Sequence, residues 1–184
     1  MAIDREHHFF ADRAGLRAWL ADNHTRKDGV WAVFYKKSTG ISDMSWEVLV
    51  EECLSFGWID SLPGKVDDLQ TKIYISPRKA NSGWSRRNKV LLIELEAKGI
   101  IEQPGRDVIH RAKANGSWER FDLSEDLVVP VELEDALESA SAFRAVWARL
   151  TDARKRQFLQ QIYDGKTPET RKKRIQTIRD SLLS

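Results

Sequence analysis

Apolar and polar positions alternate along this chain with two different periods, one typical of strands and one typical of helices. Compact β-branched and aromatic runs predict strands at 30–35, 58–61 and 72–76, and the last two are expected to form a hairpin. Apolar residues spaced by three or four positions predict helices at about 12–23, 46–56, 82–98, 106–114, 131–139, 141–149, 152–163 and 168–183. The stretch at 119–129 fits neither period and is predicted to be a loop or an isolated strand.

These elements predict an α+β fold. A small, mainly antiparallel sheet with helices would occupy the N-terminal part, and a helical C-terminal half would follow it. At 184 residues the chain has the length of one domain. We therefore expect a single domain over 1–184, which could divide into an α+β lobe at 1–125 and a helical lobe at 126–184.

Composition excludes two broad classes of protein. Hydrophobic residues make up 41% of the chain and charged residues 32%, which is typical neither of a membrane-embedded protein nor of a disordered one. Residues 1–8 contain no apolar run, so we expect no secretory signal. The single cysteine, Cys53, rules out an intrachain disulfide and fits a reducing compartment. The sequence therefore predicts a cytoplasmic protein that does not contact a membrane.

Charge is distributed unevenly along the chain. Residues 69–93 contain six basic residues and no acidic one, residues 119–143 have a net charge of −7, and residues 144–184 have a net charge of +7. The simpler interpretation is that the acidic segment packs beside a basic one, since protein surfaces of mixed sign are ordinary. The alternative is a basic face that contacts phosphates or nucleic acid.

The first candidate for a functional group lies at a predicted helix-to-strand junction. Trp58 and Asp60 follow Gly57 closely, and such junctions lie at the edges of elements, where functional side chains are often displayed. The structural alternative is that Trp58 belongs to the core and that Asp60 ties a turn.

A polar loop at 77–83 leads into the N-terminus of the predicted helix at 82–98. Free backbone N–H groups and the helix dipole attract anions there, and Arg78 could bind a phosphate or carboxylate with two parallel hydrogen bonds. The structural alternative is that serines only cap the helix, that Arg78 pairs with Asp60 and that Asn88 bonds to loop backbone. The candidate ligand-binding set is Trp58, Asp60, Arg78, Ser82, Trp84 and Asn88.

The last predicted helix has a clear start and one unusual residue. Thr167 and Pro168 supply an N-cap hydroxyl followed by proline at the first helical position. The apolar stripe through Ile175 and Ile178, extended back by one turn, reaches Arg171. A guanidinium in line with a core face needs a carboxylate or carbonyl partner, so we expect Arg171 to dock this helix.

The sequence lacks the familiar catalytic patterns. It contains no GxSxG elbow, no Walker A motif and no GxGxxG motif. The four histidines show no metal-ligand spacing, and Cys53 lies within an apolar stripe, so we predict no metal site, no cofactor and a buried thiol. Asp60 is the candidate for a general base, but no second acid or histidine accompanies it.

Three motifs give the chain a resemblance to a known family. They are EECLSFGWIDS at 51–61, PRKANSGWSRRN at 77–88 and TPETRKKRI at 167–175. Together they resemble the YdeI/OmpD-associated family, whose members are described as bacteriocin-protection proteins. The resemblance covers nearly the whole chain and implies a role in stress resistance or bacteriocin resistance. It does not supply catalytic residues.

Three functions stay open on this basis. One is the binding of a small anionic or nucleotide-like ligand by the six-residue set. Another is an enzyme in which Asp60 acts as the general base. The remaining one is nucleic-acid binding, with an affinity that falls steeply as the salt concentration rises. It would use the basic 72–89 stretch and its neighbours, namely Lys36, Lys37, Arg78, Lys79, Arg86 and Arg87. The oligomeric state is left open.

Overall fold

Three predicted strands and one further strand near the start of the chain pair into a single sheet. The computed structural model describes residues 6–184, so residues 1–5 of the segment inspected for a secretory signal lie outside the described part. The strands are β1 (His7–Phe9), β2 (Val30–Tyr35), β3 (Trp58–Lys65) and β4 (Gln70–Pro77), in the spatial order β1-β2-β4-β3. β1 runs parallel to β2, whereas β4 is antiparallel to both β2 and β3. The prediction of a small, mainly antiparallel sheet is confirmed.

The helices begin where polar side chains can accept hydrogen bonds from their first turns. The helices are α1 (Arg13–Asn23), α2 (Trp46–Ser55), α3 (Arg86–Ala97), α4 (Gln103–Ala114), α5 (Asp122–Glu125), α6 (Val131–Ser139), α7 (Ser141–Arg149), α8 (Asp152–Tyr163) and α9 (Pro168–Leu183). Asp12, Ser45, Ser85 and Thr167 each accept a backbone N–H as N-caps. A cap of this kind stabilises a helix by about 1 kcal/mol. Among the described residues, no helix is both long enough and apolar enough to cross a membrane.

One face of the sheet packs against α1 and α2 and forms the first core. Alternate residues of β2 and β4 point to this face, because successive side chains of a strand point to opposite sides. The fully buried members include Leu16, Leu20, Val30, Ala32, Met44, Leu49, Trp58 and Ile75. Each large apolar side chain that is fully buried contributes roughly 1.5–3 kcal/mol. Cys53 belongs to this core, which confirms the prediction of a buried thiol.

A second core joins α3 and α4 to the outer side of α2. It contains Val50, Leu54, Trp84, Leu92, Leu95, Ile101 and Ala112. Trp84, which directly precedes the cap of α3, is buried in it. The loop before α3 is therefore held by an aromatic anchor.

The chain divides into two compact units, one ending at Trp118 and the other spanning Glu119–Ser184. The second unit is helical and has its own core, formed by Leu133, Phe143, Trp147, Phe158, Leu159, Ile162, Ile175 and Ile178. Arg171 of α9 donates to Glu132 Oε1 of α6 from both Nε (2.8 Å) and Nη2 (2.7 Å). This ion pair confirms the expected docking contact of the last helix.

Three predictions about secondary structure need correction. The stretch at 119–129 is neither a loop throughout nor a strand, because α5 and the turns around it occupy it. Strand β1 was not predicted, since three residues are too few to show a period. Helix α4 begins at Gln103 rather than at about 106, because Pro104 suits the first turn of a helix.

Candidate functional site

The β3–β4 hairpin brings two of the three motifs together. Trp58 lies opposite Pro77 in the register, and the next residue, Arg78, donates its backbone N–H to the carbonyl of Gly57 at 3.0 Å. Gly57 has φ of +74°, and a Cβ there would lie 2.6 Å from Val108 Cγ2. Only glycine suits this crossing without strain. The junction therefore holds Asp60 and Arg78 in one region of the first unit.

Arg78 is a buried cation whose hydrogen bonds are incomplete. Its side chain is only 6% exposed, and its guanidinium carbon lies 3.7 Å from the centroid of the Trp84 ring. Nη2 donates to the carbonyl of Gly83 at 3.0 Å. Nε and Nη1 have no hydrogen-bond partner among the described residues. Burial lowers the pKa of Arg78 to about 10, and the negative charge of Asp60 offsets part of that effect, so the group stays protonated at neutral pH.

Two indole N–H groups add to the unpaired donors. Within the described chain, Nε1 of Trp58 and Nε1 of Trp84 are also buried without an acceptor. Leaving a buried donor unpaired costs roughly 1–3 kcal/mol, and native structures contain few such groups. All four unpaired donor atoms come from three members of the predicted ligand-binding set. Three of them belong to Arg78 and Trp84, whose side chains are in contact, and this concentration points to a missing acceptor.

Asp60 is oriented by a residue that the sequence analysis did not assign to the site. Trp46, the first residue of α2, donates its Nε1–H to Asp60 Oδ2 at 2.9 Å. Trp46 is 37% exposed. The guanidinium of Arg87 lies over its ring at 4.2 Å. No periodicity in the sequence marks this contact, which joins the start of α2 to β3.

The other two predicted residues lie at the start of α3. Asn88 is half-buried in the first turn, and its backbone N–H donates to the cap oxygen Ser85 Oγ at 3.3 Å. Ser82 is half-buried and closes a turn through its N–H to the carbonyl of Lys79 at 3.0 Å. Ser85, and not Ser82, is therefore the cap.

The loop at 79–85 is fastened to the end of α4. The carbonyl of Ala80 accepts from Asn115 Nδ2 at 2.9 Å and from Ser117 Oγ at 3.1 Å. Because the same loop supplies Gly83 and Trp84 to Arg78, this attachment also fixes the surroundings of the guanidinium.

A separate groove of about 570 Å³ lies between α3 and α4 and contains none of the six predicted residues. Its walls include Leu92, Ile101 and Ile109, and its size is that of a small-molecule pocket. Trp118 lines it and packs on Trp84 at 5.0 Å between ring centroids. The Trp118 and Trp84 rings therefore separate the groove from Arg78.

Two family models match the chain. One, described as Domain of unknown function (DUF8412), matches residues 8–108, and all six predicted ligand-binding residues fall within this range. The other, described as Bacteriocin-protection, YdeI or OmpD-Associated, matches residues 126–184 and confirms the family resemblance over that part of the chain, which contains the third motif, whereas the first two motifs fall within the DUF8412 match. No curated protein and no solved structure matches the chain.

Proposed function

The chain belongs to the DUF8412 family, and we propose that its first unit binds a small anionic or nucleotide-like ligand at Arg78. The observation that carries this proposal is a buried, protonated guanidinium with two unpaired donor atoms, in contact with the Trp84 ring, whose N–H is also unpaired among the described residues. A buried charge is ordinarily paired and fully hydrogen-bonded, because its transfer from water is costly. An anion at this position would supply both the missing charge and the missing acceptors.

The donors of Arg78 constrain the ligand. Nε and Nη1 lie on different edges of the planar guanidinium, so one carboxylate cannot accept from both. The site therefore requires at least two acceptor atoms that are not held as a simple fork. The oxygens of a single phosphate or sulfate are also too close together to accept from both donors, so the site fits a ligand that supplies two acceptor groups, for example a phosphate together with a hydroxyl or carbonyl oxygen.

The neighbouring residues would select the rest of the ligand. Asp60 accepts hydrogen bonds and carries negative charge, so it favours a donor such as a sugar hydroxyl or an amine. Ser82 and Asn88 add neutral polar groups at the N-terminus of α3, where the helix dipole favours negative charge. The half-exposed ring of Trp46 offers a flat surface beside Asp60. A phosphorylated small molecule with hydroxyl or ring groups matches this arrangement.

Access to Arg78 requires the loop at 79–85 to move, because the unpaired donor atoms are buried. The attachment of Ala80 to Asn115 and Ser117 is the fastening that such a movement would break. Binding would then consist of opening, entry of the anion and reclosure over it.

A thermal-shift and calorimetric screen tests the proposal. Wild-type protein, Arg78→Met and the exposed-neighbour control Lys79→Met would be screened against inorganic phosphate, sulfate, sugar phosphates and nucleotides. A ligand present at 100 times its dissociation constant stabilises the folded state by about 2.7 kcal/mol. We expect a shift in wild type and in the control, and none in Arg78→Met. An equal shift in all three proteins would refute Arg78 as the binding group.

As a further part of this proposal, we take the cellular role from the description of the family model that matches residues 126–184. Bacteriocin protection or stress resistance would depend on ligand binding in the cytoplasm. The check is a complementation assay in which bacteria lacking the protein receive wild type or Arg78→Met and are challenged with a bacteriocin. Full protection by the variant would separate the cellular role from the site.

The two other functions remain predictions, and the structure changes what each would need. The basic stretch at 72–89 cannot use Arg78 at a surface, since that side chain is buried. An enzyme with Asp60 as general base would need the carboxylate to exchange its hydrogen bond with Trp46 for one with a substrate.

A further inference from the structure

The outward face of the sheet carries aromatic side chains where an antiparallel sheet ordinarily exposes polar ones. The register pairs His7 with Trp31 and Trp31 with Tyr74, so these three side chains lie on one side. Phe9 and Tyr35 lie on the same side, because alternate residues of a strand share a face. We name this set, His7, Phe9, Trp31, Tyr35 and Tyr74, the aromatic face.

The rings of the aromatic face form two groups along the sheet. His7 stacks on Trp31 with centroids 6.2 Å apart and planes at 20°, and Trp31 meets Tyr74 at 5.5 Å. Phe9 and Tyr35 form an edge-to-face pair at 5.3 Å. Phe9 is 49% exposed and His7 is exposed, while the other three rings are partly exposed. A run of exposed aromatic surface of this kind marks an interaction site.

The charge on this face has one sign. No aspartate or glutamate occupies an outward position of the four described strands. Lys72 of β4 points outward, and its Nζ lies 4.7 Å from the centroid of the Trp31 ring and 3.1 Å from His7 Nε2. A cation is therefore placed among rings that have no carboxylate beside them.

We propose that the aromatic face binds single-stranded nucleic acid. Bases stack on aromatic rings whatever their sequence, and a nearby cation attracts the phosphate backbone. Four-stranded sheets in other proteins use such rings to stack two or three bases. The pairing of flat rings with a lone cation matches an anionic chain of flat bases, and the absence of acidic residues removes repulsion.

A second copy of the chain fits this face less well. A symmetric dimer places the same patch of each subunit against its counterpart, so the interface would enclose the Lys72 ammonium groups of both subunits without a carboxylate from the outward positions of the described strands. Like charges brought together in an interface are destabilising. The aromatic face also differs from the basic stretch considered from the sequence, because Lys72 is the only basic residue of that stretch that the strand register places on it.

The test is fluorescence anisotropy with labelled oligothymidine, oligouridine and a duplex, using the full chain over about 50 to 200 mM salt. The variants are Phe9→Ala, Tyr35→Ala, Tyr35→Phe and Lys72→Gln. The matched control is Ile93→Ala, which removes a 71% exposed apolar side chain from α3. Circular dichroism and the thermal midpoint confirm that each variant is folded.

We expect the wild type to bind single strands more tightly than duplex. Phe9→Ala and Tyr35→Ala should each weaken binding at least about fivefold, whereas Tyr35→Phe and Ile93→Ala should leave it unchanged. Lys72→Gln should reduce the slope of log K against log salt by about 0.7, the value for one phosphate contact on a single strand. Arg78→Met should bind oligonucleotides normally, so this result is independent of the proposed anion site.

Three results would overturn the inference. One is a wild-type protein that binds no single strand at the lowest salt. Another is binding that survives both alanine variants but is lost in Lys79→Gln or Arg87→Gln, which would assign it to the basic stretch. The last is a wild-type dimer in light scattering that Phe9→Ala dissociates, which would make the aromatic face a contact between copies.

Discussion

Replacing Arg78 by methionine should stabilise the ligand-free protein, although the change removes a buried side chain. Burial lowers the pKa of the guanidinium from its ordinary value to about 10, which means that its charged form is destabilised by roughly 3 kcal/mol. Methionine is unbranched and flexible, so it can keep much of the packing on Trp84. The variant loses the charged hydrogen bond to Gly83, a loss of about 2 kcal/mol. We therefore expect the free energy of unfolding to rise by about 1 kcal/mol.

Urea unfolding followed by tryptophan fluorescence at neutral pH measures this difference. In the thermal midpoint, 1 kcal/mol corresponds to about 2–4 °C for a chain of this size. The control Lys79→Met changes an exposed neighbour and should stay within about 0.5 kcal/mol of wild type. Removing one member of a satisfied buried ion pair typically costs about 3–5 kcal/mol. A loss of that size in Arg78→Met would refute the reasoning, because it would show that the guanidinium is already fully paired.

The same pair of proteins predicts a pH dependence of known sign. The pKa of Arg78 is lower in the folded state than in the unfolded state, so from about pH 10 up to the ordinary pKa of arginine the folded protein binds fewer protons than the unfolded chain. Stability from this group therefore rises with pH through that window. The advantage of Arg78→Met over wild type should shrink above pH 10, and comparing the two proteins cancels the titration of other groups. A difference that stays constant to pH 11 would contradict a buried, unpaired charge.

Three further predictions concern the frame around the site and the second unit. Gly57→Ala should lower the free energy of unfolding by about 2 kcal/mol, because φ at this position is +74° and the new Cβ would lie 2.6 Å from Val108. Urea unfolding measures the change, and an unchanged value would contradict the close packing of Gly57 against Val108. Arg171 donates hydrogen bonds to Glu132 and holds the pKa of that carboxylate below its ordinary value, so the stability that this ion pair gives the folded protein should be complete above about pH 4.5 and lost as pH falls further. Arg171→Met should lower the free energy of unfolding by about 2 kcal/mol at neutral pH and make stability depend less on acid pH. Thermal melts of both proteins over a series of acid pH values would measure this. Burial raises the pKa of the Cys53 thiol, so a thiol reagent should react with it only after unfolding, and rapid labelling of the native protein would show that this core is open.

Local signals in the sequence predicted most helix starts correctly. Asp12, Ser45 and Thr167 cap helices as expected, because a cap depends on residues only a few positions away. Strand β1 could not be found in this way, since its place depends on pairing with Trp31, which lies far along the chain. Features that depend on neighbouring residues, such as helix caps, can therefore be predicted from the sequence pattern, whereas pairings between distant residues are found only from the fold.

The same division holds within the candidate site. Arg78 and Trp84 are six positions apart in one motif, and Asp60 reaches them through a hairpin that the strand pattern already predicts. The hydrogen bond from Trp46 to Asp60 joins the start of α2 to β3, and no periodicity marks it. Arg87 is likewise in the predicted motif, but its position over the Trp46 ring follows from how α3 packs beside α2.

The energetic cost at Arg78 explains why one loop carries so many special features. A fold that only needed stability would place an apolar side chain there, since unpaired buried donors oppose folding. Instead, the loop at 79–85 supplies Gly83 and Trp84 to hold the cation, and Ala80 is fastened by Asn115 and Ser117 at the far end of α4. The cost to the free protein is recovered when an anion binds, because each donor then gains an acceptor in a site shielded from water. Destabilisation of the empty state and affinity for the ligand are then two results of the same buried guanidinium, so a substitution that removes the first should also remove the second.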